Sequence, residues 1–233
     1  MIGYIILILA VCLIIGYLFG SISNGIILSK KVYHKDVRDY GSHNSGGTNM
    51  GRVFGLKAGL ITIALDMAKT IIPFYACYLI IKFTSLNTLM ESFDLASIGA
   101  YTCGLGSVLG HCFPIFYHFK GGKAVSCMAG IIIASSWSLL IVGVIIFFSI
   151  FLTSHKVSLS SIFASLGTAL SSIALIFLPN WLMNASLQAS YIFSCFMIVY
   201  SIILIARHHA NIQRLINGTE KNIYLTKKNK DNA

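Results

Sequence analysis

The chain has 233 residues, 56% hydrophobic and only 10% charged, with a mean hydropathy of +0.81 and a formal net charge of +10. Soluble domains carry about 25% charged residues, so this composition excludes an ordinary soluble protein and indicates an integral membrane protein. The basic excess sets membrane topology and draws anionic lipid, or holds an anionic substrate; nothing in it points to nucleic acid.

Residues 2–28 carry no charge. The N-terminus lacks a basic leading region and a small-residue cleavage site, and its apolar run is too long for a signal peptide. An uncleaved first helix is therefore expected. The runs 58–81, 95–117, 124–154, 157–181 and 183–206 are similar, except that the first of them contains Asp66 and Lys69. A spanning helix needs about 20 residues. The run 124–154 is too long for one span, and a break is expected near Ser135-Ser136. The reading is an all-α protein of seven transmembrane helices. Residues 1–226 form a single domain and 227–233 a disordered basic tail. Of the 17 Lys and Arg residues, 15 lie in the segments 29–57, 118–123 and 155–157 and in the tail. Positive charge marks the cytoplasmic side, which puts the N-terminus outside and the C-terminus inside. The six cysteines have no C-x-x-C pairing and fall mostly in predicted spans, so they read as small apolar residues.

This topology brings three polar cassettes to one aqueous face. The first is Gly41–Arg52, with Gly41, Ser42, Asn44, Gly47, Thr48, Asn49 and Arg52. Glycine permits positive φ and close backbone approach, and successive N–H groups form a nest for an oxygen anion. Arg52 adds a fork suited to phosphate. A flexible linker is the plain alternative, but linkers are rarely so dense in Asn, Thr and Arg. The second cassette runs from Gly110-His111 through Pro114 to Lys120, Gly121, Gly122 and Lys123. Pro114 should end the helix before it. Two cations, a glycine pair and a helix N-terminus make an anion site or a topological anchor with a hinge. The third is Arg207-His208 to Glu220. If the last helix continues through it, Arg207, Asn211 and Arg214 share a face, with His208 beside them and Gly218 as a stop. Histidine is suited to proton transfer near neutrality. Asp66 and Lys69 should pair inside the membrane, and Ser158 opens a helix on the same face. His111 and His118 lack the partners for a metal, and none is expected. His34 and Asp39 match an H-x-x-x-x-D pattern found in soluble acyltransferases, without the surroundings to support it.

Taken together and in order, these residues resemble the bacterial membrane acyl-phosphate:glycerol-3-phosphate acyltransferases. The carriers include Gly20-Ser21, Asn24-Gly25, Asp36-Val37-Arg38, Gly41–Asn44, Gly47–Asn49 and Arg52. They continue with Asp66, Lys69, Gly110-His111, Phe119–Lys123, Ser158, His208, Asn211, Arg214 and Gly218–Glu220. Departures are Ala124 in place of a usual third glycine, Thr70 in place of a common glycine, Ser45-Gly46-Gly47 in place of Pro-Gly-Ala, and His209-Ala210 in place of Arg-Glu.

The resemblance implies a plasma-membrane enzyme with its site on the cytoplasmic face. It would move a fatty acyl group from acyl phosphate to the sn-1 hydroxyl of glycerol 3-phosphate, releasing lysophosphatidic acid and phosphate, without a cofactor. The soluble enzyme that makes acyl phosphate is the implied partner. His208, Asn211, Arg52 and Ser42 are expected to carry the chemistry. The 41–52 loop and Lys120–Lys123 would hold the two phosphates, in either order, and Ser158 would bind substrate. Asp66, Lys69, His111, Arg214 and Glu220 would support the site. The competing reading is a transporter of phosphate or a phosphorylated metabolite.

Overall fold

The computed structural model describes residues 2–89, 94–177 and 191–223, and among these the secondary structure is entirely helical. The first apolar run is one candidate span, Ile2–Tyr33, interrupted into two helices: α1 (Ile2–Gly20) and α2 (Asn24–Tyr33). Breaking the chain at Ser21–Ser23 frees backbone groups that need internal partners. Lys69 Nζ takes the Ile22 carbonyl at 2.6 Å, and Asn24 donates to Asp66 at 3.0 Å. The expected 29–57 loop is partly helical, with the end of α2, a 3-10 turn at Val37–Asp39 and α3 (Gly47–Phe54). After Gly55, α4 (Leu56–Lys82) crosses the molecule.

Helix α5 (Leu95–Cys112) starts on Asp94, whose carboxylate accepts from the Ala96 and Ser97 amides, and ends before Pro114 as the sequence indicates. The expected break in the long run falls at Ser136, between α6 (Val125–Ser135) and α7 (Trp137–Ser154), where the serine hydroxyl accepts from the Leu139 amide. Then follow α8 (Val157–Leu175), α9 (Tyr191–Arg207) and α10 (His209–Ile216). The last helix does not run straight through the third cassette: α9 and α10 meet at 60°.

Among the described residues, four helices are long and apolar enough to cross a membrane, or five if α9 and α10 count as one bent span. Helix α6 has 11 residues, about 16 Å at 1.5 Å per residue, half a bilayer core. Helix α5 is mostly buried among its neighbours and carries glycine, serine and tyrosine where a lipid-facing helix would be aliphatic. The ends of the sixth and seventh predicted spans at 178–190, and the tail 227–233, lie outside the described residues.

The bundle closes around α5. A methyl at Gly16 of α1 would strike the Cys103 carbonyl oxygen, and one at Gly110 of α5 would strike that of Tyr17. Small residues let membrane helices approach this closely. Gly16→Leu should therefore push α1 off α5 and destabilise the fold by about 1–3 kcal/mol or more. A lower melting temperature in detergent would register this, and an unchanged one would contradict it.

Candidate active site

The three cassettes and the α7–α8 turn meet at one end of the bundle. The first loop is shaped by Asn49. Its buried amide donates to the carbonyls of Val37, Tyr40 and Asn44 at 3.0, 3.0 and 2.8 Å, and its oxygen accepts from the Ser42 amide at 2.8 Å. Asn49 therefore holds the loop and has no amide group to spare for a ligand. Gly41 sits at φ +67°, and a side chain there would strike Asn49 Oδ1. Asn44 Oδ1 accepts from the Gly46 amide at 2.9 Å, and Asn44 lines the cavity. Ser45 is buried with no partner for its hydroxyl among the described residues, a poor place for a polar atom. Ser45→Ala should raise stability by about 1 kcal/mol; a lower melting temperature would refute this.

Arg52 lies half-buried on α3 and faces the cavity. Among the described residues it makes no hydrogen bond or ion pair. Burial lowers its pKa, opposed by the charge of Glu220, yet a guanidinium stays protonated. It presents a charged five-donor fork to the cavity.

In the second cassette the structure separates the expected phosphate ligands. Lys120 is exposed and lies away from the cavity wall. Gly121 and Gly122 pack on α5: side chains there would strike the His111 carbonyl oxygen and the His111 ring. The Gly122 amide donates to the His111 carbonyl at 2.9 Å. These glycines thus serve close helix contact, and Lys123 is the member of the set that reaches the cavity. Ala124 follows at φ +61°, a left-handed conformation that costs a non-glycine residue about 1–2 kcal/mol. This accounts for the glycine usual at that position.

The third cassette is organised by Glu220. Its carboxylate accepts from Ser158 at 2.7 Å, Asn211 Nδ2 at 2.6 Å and Arg214 Nε at 2.7 Å. Ser158, expected to bind substrate, thus donates its hydroxyl hydrogen bond to Glu220. Burial alone would raise the Glu220 pKa, but these donors and the Arg214 charge hold it below its ordinary value. Asn211 Oδ1 accepts from Lys123 Nζ at 2.6 Å, so Asn211 links the lysine to the carboxylate. Burial, with Arg214, Arg52 and Arg207 nearby, lowers the Lys123 pKa to about 8 despite Glu220.

His208, 2% exposed, sits at the α9–α10 bend. Its Nδ1 pairs with the Leu204 carbonyl at 2.8 Å, which assigns the proton to Nδ1 and leaves Nε2 as an acceptor on the cavity side. Burial lowers its pKa to about 4, so it is neutral at pH 7. The bend also removes Arg207 from the face of Asn211 and Arg214. Arg207 instead donates to the Gly122 carbonyl at 3.2 Å and covers the Phe113 ring. Gly218, at φ +69°, follows the end of α10 as expected.

Beneath these groups Asp66 and Lys69 pair at 3.1 Å, and Lys69 also meets His111 Nδ1 at 3.1 Å. This buried network ties α2, α4 and α5 together and sets the floor under the second loop. His118 is exposed, and neither His34 nor Asp39 reaches the cavity.

The cavity has a volume of about 530 Å³. Its upper end is lined by Ser42, Thr48, Arg52, Lys123, His208 and Asn211, and it continues between α6, α7 and α8. The hydroxyls along that lower part are bonded internally: Ser161 to the Val157 carbonyl, Thr168 to the Ala164 carbonyl, and Ser165 to Ser201. The lower walls therefore behave as apolar surface. The arrangement is a polar, cationic head with a base-competent histidine above a greasy slot.

A family model for glycerol-3-phosphate acyltransferase matches residues 10–218. The chain belongs to this family. A glycerol-3-phosphate acyltransferase of Macrococcus caseolyticus is 35% identical over 94% of this chain and 99% of its own. Glycerol-3-phosphate acyltransferase 2 of Bacillus anthracis is 40% identical, covering 91% and 97%. A crystal structure of PlsY, an integral membrane glycerol 3-phosphate acyltransferase, in its glycerol 3-phosphate form superposes with a TM-score of 0.75 at 33% identity, covering 93% of this chain and 96% of that one.

Sequence reasoning missed three parts of this acyltransferase-family site: Arg207 as clamp of the second loop, Lys221 at the rim, and the bond from the Ile223 amide to the His155 carbonyl at 2.8 Å that straps the tail across the α7–α8 turn. It also missed the slot, whose α7 wall repeats at Leu139, Leu140, Gly143, Val144, Phe147 and Phe148. That helical stripe was visible as spacing, but α7 is mostly apolar around its whole circumference, so the stripe does not stand out from a lipid-facing surface.

Proposed function

We propose that this chain transfers a fatty acyl group from acyl phosphate to the sn-1 hydroxyl of glycerol 3-phosphate at the cytoplasmic face of a bacterial plasma membrane. The observation that carries the proposal is that Arg52, with no hydrogen bond or ion pair among the described residues, and His208, with its Nδ1 committed to Leu204, both line the polar part of a cavity that continues as an apolar slot. Seven spans, with the N-terminus outside, give the orientation that the basic segments favour. Two anionic substrates would meet between Arg52 on one side and Lys123 on the other, and the acyl chain would occupy the slot. The soluble acyl-phosphate-forming enzyme would supply the donor.

The glycerol hydroxyl oxygen attacks the acyl carbonyl carbon, and the carbon–oxygen bond to phosphate breaks. His208 Nε2 takes the hydroxyl proton and passes it to the departing phosphate. Arg52, Ser42 and the loop amides hold charge developing on the phosphate and carbonyl oxygens. Lys123, oriented by Asn211 and through it by Glu220, holds glycerol 3-phosphate. Positioning of the two substrates supplies about 7–11 kcal/mol of the barrier, and no covalent intermediate is required. A phosphate transporter would need polar groups distributed along its path, whereas here they gather at one end.

The test is purified protein in detergent with palmitoyl phosphate and glycerol 3-phosphate, following phosphate release and lysophosphatidate. Product from palmitoyl phosphate and none from palmitoyl-CoA is expected. No product from palmitoyl phosphate would overturn the proposal.

A further inference from the structure

The slot below the polar head is open on one side and closed at its base. Val144 and Phe148 of α7 line the slot and are 45% and 47% exposed, so this side of the slot borders the lipid-facing surface. Leu139, Thr168 and Ile132 at the far end are 0%, 1% and 6% exposed. From Ser158 to Thr168 along α8 is about 15 Å at 1.5 Å per residue. From Ala124 to Ile132 along α6 is about 12 Å. The α6 and α8 walls thus end at a similar depth, and on α7 Leu139 lies about 6 Å beyond Gly143, which faces Thr168.

Gly143 lines this lower part across from Thr168. A methyl there would sit 3.0 Å from Thr168 Cγ2, so α7 and α8 are nearly in contact across the slot. Its lack of a side chain keeps the passage to the base open. The hydroxyl of Thr168 is bonded to backbone carbonyls, so the residue presents its methyl group to the cavity. A void walled by Leu139, Ile132 and Thr168 offers no polar partner to water, and its lining lacks dispersion contacts until something fills it.

We infer that Gly143, Thr168 and Leu139 form a ruler that sets the longest acyl chain this protein transfers efficiently. The inference rests on the acyl-transfer reading above and adds which residues end the slot. The chain's terminal methylenes fill the closed base instead of leaving sideways past Val144 and Phe148. Bulk added at Gly143 or Thr168 shortens the slot, and a side chain removed at the base deepens it.

The experiment compares palmitoyl with octanoyl phosphate as donors, with glycerol 3-phosphate saturating, for the purified wild type and for Gly143→Leu, Thr168→Met and Leu139→Ala. The readout is the ratio of kcat/KM for the long donor to that for the short one. A pocket discriminates by about tenfold or more for each group it cannot accommodate. The ratio should therefore fall by at least about tenfold in Gly143→Leu, fall in Thr168→Met and rise in Leu139→Ala. Measurable octanoyl transfer identifies a folded variant, and narrowing from two different helices keeps the test available if one variant fails to fold. An unchanged ratio in the folded variants would overturn the ruler and show that the chain exits laterally. A wild type that transfers neither group overturns the acyl-transfer reading itself, a result distinct from a failed ruler.

Discussion

Arg52→Ala should lower kcat/KM by about a hundred- to a thousandfold, the cost of removing one preorganised group from developing charge, while leaving the melting temperature unchanged. The second half of this expectation is unusual for a half-buried arginine. It follows from the side chain's lack of any hydrogen bond or ion pair among the described residues: removing it breaks nothing in the fold. Its neighbours differ. Lys123 is bonded to Asn211, and Asn211 and Arg214 to Glu220, so substitutions there disturb structure and chemistry together. Arg52→Lys should fall between wild type and Ala, because an ammonium restores the charge but not the planar fork. Full activity of Arg52→Ala, in protein that is inserted and folded, would remove the loop from phosphate binding.

His208→Ala should lower kcat by about a hundred- to ten-thousandfold, the usual contribution of a positioned acid–base group, with KM for both substrates little changed. The imidazole is buried with Nδ1 committed to Leu204, so in the proposed mechanism Nε2 is the nitrogen that would take the proton of the reacting hydroxyl. The pH profile separates its role from that of Lys123. His208, with a pKa lowered to about 4, is neutral and able to accept a proton above that pH. Lys123, with a pKa lowered to about 8, is charged only below it. The kcat/KM profile reports the free enzyme, so it should decline as pH rises through about 8. Lys123→Arg should carry that decline to higher pH, since guanidinium does not titrate there. An alkaline limb that does not move in Lys123→Arg would show that another group sets it. Unaltered kcat in His208→Ala would return proton transfer to a substrate phosphate oxygen.

The site is held together by few contacts of high value. Glu220 lies close after a glycine stop and gathers donors from α8 and α10. Asp66 and Lys69 do the same below, joining α2, α4 and α5. Buried charges of this kind need complete partner sets. These clusters explain why polar residues are concentrated in so apolar a chain.

The sequence by itself determined the membrane class, the three cassettes, the break at Ser136, the end of α5 before Pro114, and the helix stop at Gly218. Each is a local property: hydropathy over a span, a missing amide at proline, a turn that requires positive φ. The resemblance carried by the cassettes also identified the family. Tertiary structure alone decided which cassette members share a cavity. Lys120 and Lys123 are three residues apart and equally charged, yet the packing of Gly121 and Gly122 on His111 turns one outward and the other inward. Asn49 reads as a ligand in sequence and is a brace in the fold, because only the folded loop brings three carbonyls to its amide. The bend between α9 and α10 separates Arg207 from Asn211 and Arg214, which a straight helix would have aligned. The apolar slot was the least legible part. Whether an aliphatic stripe faces lipid, a neighbouring helix or a substrate depends on where the other helices stand, and hydropathy assigns all three the same free energy.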